Sequence, residues 1–385
     1  VNETSFAVQH RKLDVNMEHY PSKRTIYVSK STEHRQERLL DSKEYNDGKA
    51  DEFETRECKA QYPWQLTSFP TCSSVHEFDL TELDAKHERD RRVALIAHGY
   101  WRDVWMVREV MTGEKRVLKT LRYTHAYEER NYDRHRRDAV AMERLSKSPL
   151  VVNIYGFCGN SGIFEYADGG DIDERLWPHK KTHGRETAEL SSLTKLQIAT
   201  QATMGIAAMH NIDKEGQASI AHTDISPGQF VLLDGIYKLN DFNRARFIRW
   251  SATKDKPCGY HVGRNPGKNR SPEEYKYELQ TEKVDIYSLG NIIYMLLTSS
   301  WPFNGFEDEV AQKKVMSGKR PMVAKSIWNS TDPIIQTLRE AMHVCHQQDP
   351  KVRGTAREVE KILLKELQLR DPNALQRWGL GSSLT

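Results

Sequence analysis

The chain has 385 residues, 38% of them hydrophobic and 29% charged, with a formal net charge of +3. That length holds one large domain or two smaller ones around a substantial core. The near balance of charges gives no electrostatic case for nucleic acid. No run approaches the ~18 apolar residues of a membrane-spanning helix. The sequence begins with Val1, not Met, which leaves a removed leader open, and with it both a cytoplasmic and a secretory-lumen location.

Five cysteines, Cys58, Cys72, Cys158, Cys258 and Cys345, show no CxxC pair and no histidine at zinc spacing. Cys58 and Cys72 are a candidate disulfide in an oxidising setting, with two free thiols as the alternative. Sequons occur at Asn2-Glu3-Thr4, Asn269-Arg270-Ser271 and Asn329-Ser330-Thr331; alone they carry little weight.

Residues 1–60 hold 11 Lys/Arg and 12 Asp/Glu with scattered apolar positions, so they read as a loosely ordered stem with one β-like run, Thr25-Ile26-Tyr27-Val28. Residues 62–82, with Tyr62-Pro63-Trp64 and Phe69-Pro70-Thr71-Cys72, read as an ordered extension. From 92 to 123 the pattern is β-rich. A helix is expected over 126–146, then strands over 150–157 and 162–166. Beyond Asp171 helices dominate. Residues 193–210 show near-helical apolar spacing, 284–297 are apolar nearly all round, as in a buried helix, and 334–345 and 356–367 are amphipathic. The class is α+β, a small β-rich half before a larger helical half, and a cleft between two such halves is a natural ligand site.

One stretch carries chemistry: His222-Thr223-Asp224-Ile225-Ser226-Pro227-Gly228-Gln229, followed by Asp241-Phe242-Asn243. Between the aspartates lie two apolar runs joined by Asp234-Gly235, a strong hairpin signal. A hairpin folds the chain back so that both carboxylates can face one site. One carboxylate to orient a hydroxyl and another to hold Mg²⁺ suit phosphoryl transfer. The stretch resembles the catalytic and metal-binding loops of eukaryotic protein kinases. The resemblance implies a bilobal fold with a small β-rich N-lobe (92–165) and a larger helical C-lobe (166–368), flanked by a stem and extension (1–91) and a C-terminal tail (369–385). It also implies a monomer that uses ATP with Mg²⁺, or Mn²⁺ as the alternative ion, on a protein substrate.

The resemblance extends to other motifs. Ala97-His98-Gly99-Tyr100-Trp101-Arg102-Asp103-Val104 falls where the family's glycine-rich loop belongs, with Ala97 and Arg102 in place of two glycines. In isolation it would be a plain turn. Arg116-Val117-Leu118-Lys119 matches the strand of the phosphate-binding lysine, and strand alternation puts Val117 and Lys119 on one side. Asp138 stands where the family's helix glutamate pairs with that lysine, with Glu129 and Glu143 as competitors. Phe164-Glu165-Tyr166-Ala167 resembles the hinge that binds adenine. The implied catalytic residues are Asp224, Lys119 and Asp138. The implied nucleotide contacts are Ala97, Gly99, Val104, Val117, Lys119, Phe164, Glu165, Ala167 and Gln229, and the implied metal ligands Asp241 and Gln229.

Several positions depart from the family pattern. Thr223 stands where many kinases carry an arginine that pairs with a phosphorylated activation loop. Ser226 stands where serine/threonine kinases place lysine. Gln229 replaces asparagine, one methylene or about 1.5 Å longer. Asn243 replaces a glycine, and asparagine tolerates positive φ best among the other residues. Further along, Ser271-Pro272-Glu273 fits the end of the activation segment, Asp285 the helix that anchors the catalytic loop, and Arg353 the buried partner of Glu273.

Three functional classes follow. An active kinase retains Lys119, Asp224 and Asp241, with serine or threonine the favoured acceptor. A pseudokinase scaffold would explain Ala97, Arg102, Asp138, Gln229 and Asn243. A lumenal kinase-like enzyme phosphorylating a sugar fits the Pro- and Cys-containing extension. His222-x-Asp224-x-x-Pro227 also resembles aminoglycoside and choline phosphotransferases, which lack counterparts of Glu273, Asp285 and Arg353. The activation segment carries Arg244, Arg246, Arg249, Lys254, Lys256, Arg264, Lys268 and Arg270 against the single internal acid Asp255. That bias reads either as a solvated loop or as a receptor for an acidic or pre-phosphorylated substrate.

Overall fold

The computed structural model describes residues 58–66, 93–109, 112–126, 128–178 and 188–380. The expected stem with its 25–28 strand, the extension beyond Leu66 with Cys72, and the Asn2 sequon lie outside the described residues. The chain divides into two compact units, one of residues from 66–143 and 153–166, the other of residues from 58–65, 144–152 and 167–380. The described chain opens with a two-residue strand, β1 (Cys58–Lys59), and a 3-10 turn (Pro63–Leu66), of which residues through Gln65 belong to the second unit.

The first unit is built on a five-stranded antiparallel sheet of β2 (Val93–His98), β3 (Arg102–Arg108), β4 (Lys115–Leu121), β5 (Ile154–Cys158) and β6 (Ser161–Glu165), in the order β2-β3-β4-β6-β5. Val93, Val107, Leu118 and Ile163 form one apolar cluster on it. The helix α1 (Glu129–Leu145) follows β4. It buries Ala139, Val140, Ala141 and Met142, and His135 Nδ1 lies 3.0 Å from Asn160 Oδ1 in the β5–β6 turn.

In the second unit α2 (Ile172–Leu176) is capped by Asp171, and α3 (Ser192–His210) by Ser191 Oγ, which accepts the Thr194 N–H at 3.1 Å. Strand β7 (Ile220–Ala221) leads into the catalytic-loop sequence. The hairpin of β8 (Phe230–Leu233) and β9 (Ile236–Leu239) forms as expected, with φ +51° at Asp234 and +80° at Gly235. Two positive φ values in a two-residue loop match the right-handed strand twist, which is why Asp-Gly serves there. β10 (Arg246–Phe247) pairs with β7. β11 (Trp250–Ser251) lies between β1 and β12 (Lys256–Pro257). The helices α4 (Pro272–Tyr275), α5 (Lys283–Thr298), α6 (Asp308–Met316), α7 (Lys325–Trp328), α8 (Pro333–Cys345), α9 (Ala356–Arg370) and α10 (Ala374–Arg377) complete it. Helix α5 is buried from Val284 to Leu297, as its all-round apolarity requires. Helix α3 packs on α9 and β9, and α8 on α5.

The cysteine pairing differs from expectation. Cys58 bonds Cys258, 200 positions away, not Cys72. The cause is strand pairing: β1 adds to the β11–β12 hairpin, with Cys58 opposite Ser251. The segment that follows docks along the same stretch. Trp64 Nε1 donates to Asp213 Oδ1 at 3.2 Å, and Gln65 Nε2 to the carbonyls of Ser219 and Ile248 at 3.1 and 3.2 Å. Cys158 is also in a disulfide, and Cys345 is a buried free thiol.

Candidate active site

In the first unit, strand register aligns the expected nucleotide contacts. Ala97 pairs with Val104, Val104 with Lys119, and Val117 with Phe164. Paired residues share a sheet face, as do residues two apart on one strand, so Ala97, Val104, Lys119, Val117 and Phe164 lie on one face. Glu165 pairs with Arg116 on the opposite face. The Lys119 ammonium is buried and lies 4.7 Å from the Phe164 ring centroid, a cation–π contact that helps to hold a desolvated charge.

Arg102 sits two residues before Val104 and shares that face. Its Nη1 lies 2.6 Å from Asp138 Oδ2, with 6% and 0% of the two side chains exposed. A buried carboxylate requires a partner cation, so the residue that departs from the glycine pattern supports the one that departs from the glutamate pattern. The turn is pinned as well. Gly99 N–H donates to Arg102 O at 2.8 Å, and Arg122 Nη1 to Gly99 O at 3.1 Å. A Cβ at Gly99 would stand 3.2 Å from the Arg102 carbonyl oxygen, which explains the retained glycine.

In the second unit Asp285, buried at the start of α5, organises the catalytic loop. Its Oδ2 accepts the His222 N–H at 2.7 Å and lies 3.0 Å from His210 Nε2, while Oδ1 accepts the Thr223 N–H at 2.8 Å. Thr223 adopts φ +61°, a costly conformation for a β-branched residue. The Asp285 bond and a 2.7 Å bond from Thr223 Oγ1 to the Arg244 carbonyl hold it there. His222 is buried against Phe242, with ring centroids 4.8 Å apart, in keeping with a core role.

Asp224 is half-buried, with 28% of its side chain exposed, and Arg270 Nη2 donates to its Oδ1 at 2.8 Å. Arg244 Nε lies 3.7 Å from the same oxygen. Burial works against the Arg270 charge, but the Asp224 and Glu274 carboxylates outweigh it and push the guanidinium pKa further up. In the sequence Arg270 stands out only as part of a basic run. No spacing signal marks it, because its partner is 46 positions away.

At the second aspartate the expectation for Asn243 needs correction. The left-handed residue is Asp241, at φ +63°, whereas Asn243 lies in a 3-10 turn over Phe242–Arg244. Asn243 contributes through its amide, which donates to Asp241 Oδ1 at 2.7 Å. The Gln229 carbonyl accepts the Asn240 N–H at 2.9 Å, which brings Gln229 beside Asp241. A carboxylate and an amide oxygen are hard donors that fit Mg²⁺. Further on, Arg353 Nη1 and Nη2 donate to the two Glu273 oxygens at 2.6 and 3.0 Å, buried as expected.

The family model of the protein kinase domain matches residues 92–363. Serine/threonine-protein kinase PrkC of Bacillus subtilis (strain 168) is 27% identical over 273 residues, 69% of this chain and 38% of PrkC. Human mitogen-activated protein kinase kinase kinase 7 is 26% identical over 237 residues, 58% of this chain and 34% of that protein. Serine/threonine-protein kinase VIK of Arabidopsis thaliana is 28% identical over 228 residues, 57% of this chain and 46% of VIK. The chain thus spans less than half the length of each of these relatives.

Proposed function

Because the chain belongs to the protein kinase family, we propose that it transfers the γ-phosphate of Mg-ATP to a protein hydroxyl, with serine or threonine as acceptor. Lys119, positioned by Asp138, binds the phosphates. Ala97, Gly99, Val104 and Val117 cover the nucleotide, and the backbone at Glu165 and Ala167 reads adenine beside Phe164. Asp224 orients the acceptor hydroxyl. Asp241 and Gln229 hold the Mg²⁺ ion, which when bound neutralises charge on the phosphates.

The observation that carries this reading is the bracing of both aspartates. Thr223 keeps positive φ with its N–H bonded to the buried Asp285, and Asp241, also at positive φ, has its carboxylate bonded by Asn243; such strain persists where the surroundings enforce it for function. A scaffold has no need of it. The test is incubation of wild type, Asp224→Asn and Asp241→Ala with γ-labelled ATP, Mg²⁺ or Mn²⁺ and a panel of generic proteins and peptides. Label transferred by wild type and lost in both variants supports the reading. Equal labelling by all three, or none by wild type, refutes it.

The substrate is an acidic or pre-phosphorylated protein. Arg246 and Arg270 of the basic segment are buried, whereas Lys254, Lys256 and Arg264 are exposed and carry the attraction. Rising salt should weaken substrate affinity and leave ATP affinity alone; salt-insensitive substrate binding counts against it. The disulfides favour a second reading, residence in an oxidising compartment, where a sugar hydroxyl is the alternative acceptor. Adding glycan acceptors to the same assay decides between the two.

A further inference from the structure

We propose that Arg270, at the end of the activation segment, is the positioning residue of Asp224 and supplies the cation that the catalytic loop lacks at Ser226. This rests on the phosphotransfer reading above. Ser226 has no charge to offer, yet the nearest oxygen of Asp224 is bonded at 2.8 Å to a guanidinium. That guanidinium is itself fixed on every side. Its Nη1 donates to the Thr223 carbonyl at 3.0 Å and to Glu274 Oε1 at 3.4 Å, and its Nε to the Pro266 carbonyl at 3.1 Å. Only 9% of its side chain is exposed.

Glu274 in turn accepts from Ser271 N–H and Oγ at 2.8 and 2.9 Å. One carboxylate therefore anchors both the start of α4 and the arginine. A planar fork held at four points cannot rotate as a solvated lysine would. With Oδ1 of Asp224 held by that fork, Oδ2 is the oxygen left to face the acceptor hydroxyl.

The arrangement couples the activation segment to the chemistry without phosphorylation. In the family pattern an arginine before the catalytic aspartate answers to a phosphorylated loop. Here that position is Thr223, and Arg270 takes its counter-charge from an internal carboxylate, Glu274. Order at the end of the segment and orientation of Asp224 are then one event.

The test uses the full chain with wild type, Arg270→Met, Arg270→Lys and the double variant Arg270→Met/Ser226→Lys. The readouts are kcat and KM for ATP and acceptor, alongside the thermal shift given by Mg-ATP. A misplaced catalytic group costs on the order of 10²-fold. Arg270→Met should lose about that much in kcat, while KM for ATP and the Mg-ATP shift stay within about twofold. Arg270→Lys should recover part, and Ser226→Lys on the Met background should recover about tenfold by restoring a cation from the loop. If Arg270→Met does not fold, Arg270→Gln, which keeps donors and loses charge, takes its place. An active wild type with unchanged kcat in Arg270→Met, or a loss that neither lysine relieves, overturns the inference and leaves the phosphotransfer reading standing. A wild type that transfers no phosphate removes both.

Discussion

Asp285 offers the sharpest test of how the fold holds the catalytic loop. The residue is 1% exposed and accepts the N–H groups of His222 and Thr223 at 2.7 and 2.8 Å. Hydrogen bonds to an ionised acceptor contribute about 1.5–3 kcal/mol each, and a stranded buried donor carries its full desolvation cost. Asp285→Asn keeps one carbonyl oxygen and turns an NH₂ toward the other N–H. Its expected cost is about 2–3 kcal/mol. Asp285→Ala strands both and releases His210, costing roughly 4 kcal/mol, since such losses do not add in full. Against an unfolding free energy of roughly 5–15 kcal/mol, both variants should fold and give measurable urea transitions. Thr223, no longer held at φ +61°, should relax toward negative φ and carry Asp224 with it, so kcat should fall about 10²-fold with ATP affinity unchanged. Urea midpoints matching wild type, or lost stability with kcat intact, would refute this account of the loop.

Other expectations follow from single features. His346 is buried, and burial first, then Arg320 and Arg353, lower its pKa from 6.5 to about 3. Below pH 6.5 the unfolded chain takes up a proton that the folded chain refuses. The stabilisation is therefore complete above pH 6.5 and is lost toward pH 3, at about 1.4 kcal/mol per unit; an equal slope in His346→Gln would show the wrong group was named. Non-reducing peptide mapping should recover Cys58 linked to Cys258, and Cys58→Ser/Cys258→Ser should unfold about 3 kcal/mol more easily; a Cys58–Cys72 peptide contradicts this. Secretion from a glycosylating host should modify Asn329, which is exposed, and not Asn269, whose carbonyl accepts from Asn291 and whose sequon serine, Ser271, is fully buried; intact mass before and after deglycosylation, with Asn329→Gln as control, decides it.

Much of the fold was legible because its signals are local. Apolar spacing marked α3, α5, α8 and α9, Asp-Gly marked the β8–β9 hairpin, and both turn φ values came out positive as that dipeptide requires. Val104 and Lys119, matched to two separate family motifs, form a direct cross-strand pair. What stayed hidden depends on partners distant in sequence. The Cys58–Cys258 bond follows from β1 joining the β11–β12 hairpin, and a two-residue strand is too short to announce itself through alternation. Asn243 was misread because propensity alone cannot tell a residue that adopts positive φ from one that braces a neighbour which does.

That distinction changes what the departures from the family pattern mean. Read along the chain, Arg102, Asp138, Ser226 and Asn243 look like independent losses. In space the four resolve into three contacts. Arg102 meets Asp138 at 2.6 Å, Asn243 donates to Asp241 at 2.7 Å, and the charge missing at Ser226 arrives at Asp224 from Arg270 at 2.8 Å. Decay without selection leaves buried charges unpartnered, because nothing maintains the second member of a pair, and breaking such a pair from one side costs about 3–5 kcal/mol. Departures that meet a partner, as Arg102, Asp138 and Asn243 do, or whose missing charge is supplied from elsewhere, as Arg270 does for Ser226, are what a remodelled phosphotransfer site would accumulate. The prediction peculiar to remodelling is that restoring a family residue impairs the enzyme. Asn243→Gly, which restores the family residue, should lower kcat here, because it removes the donor that steadies Asp241. A variant as active as wild type would show that the pairing is incidental.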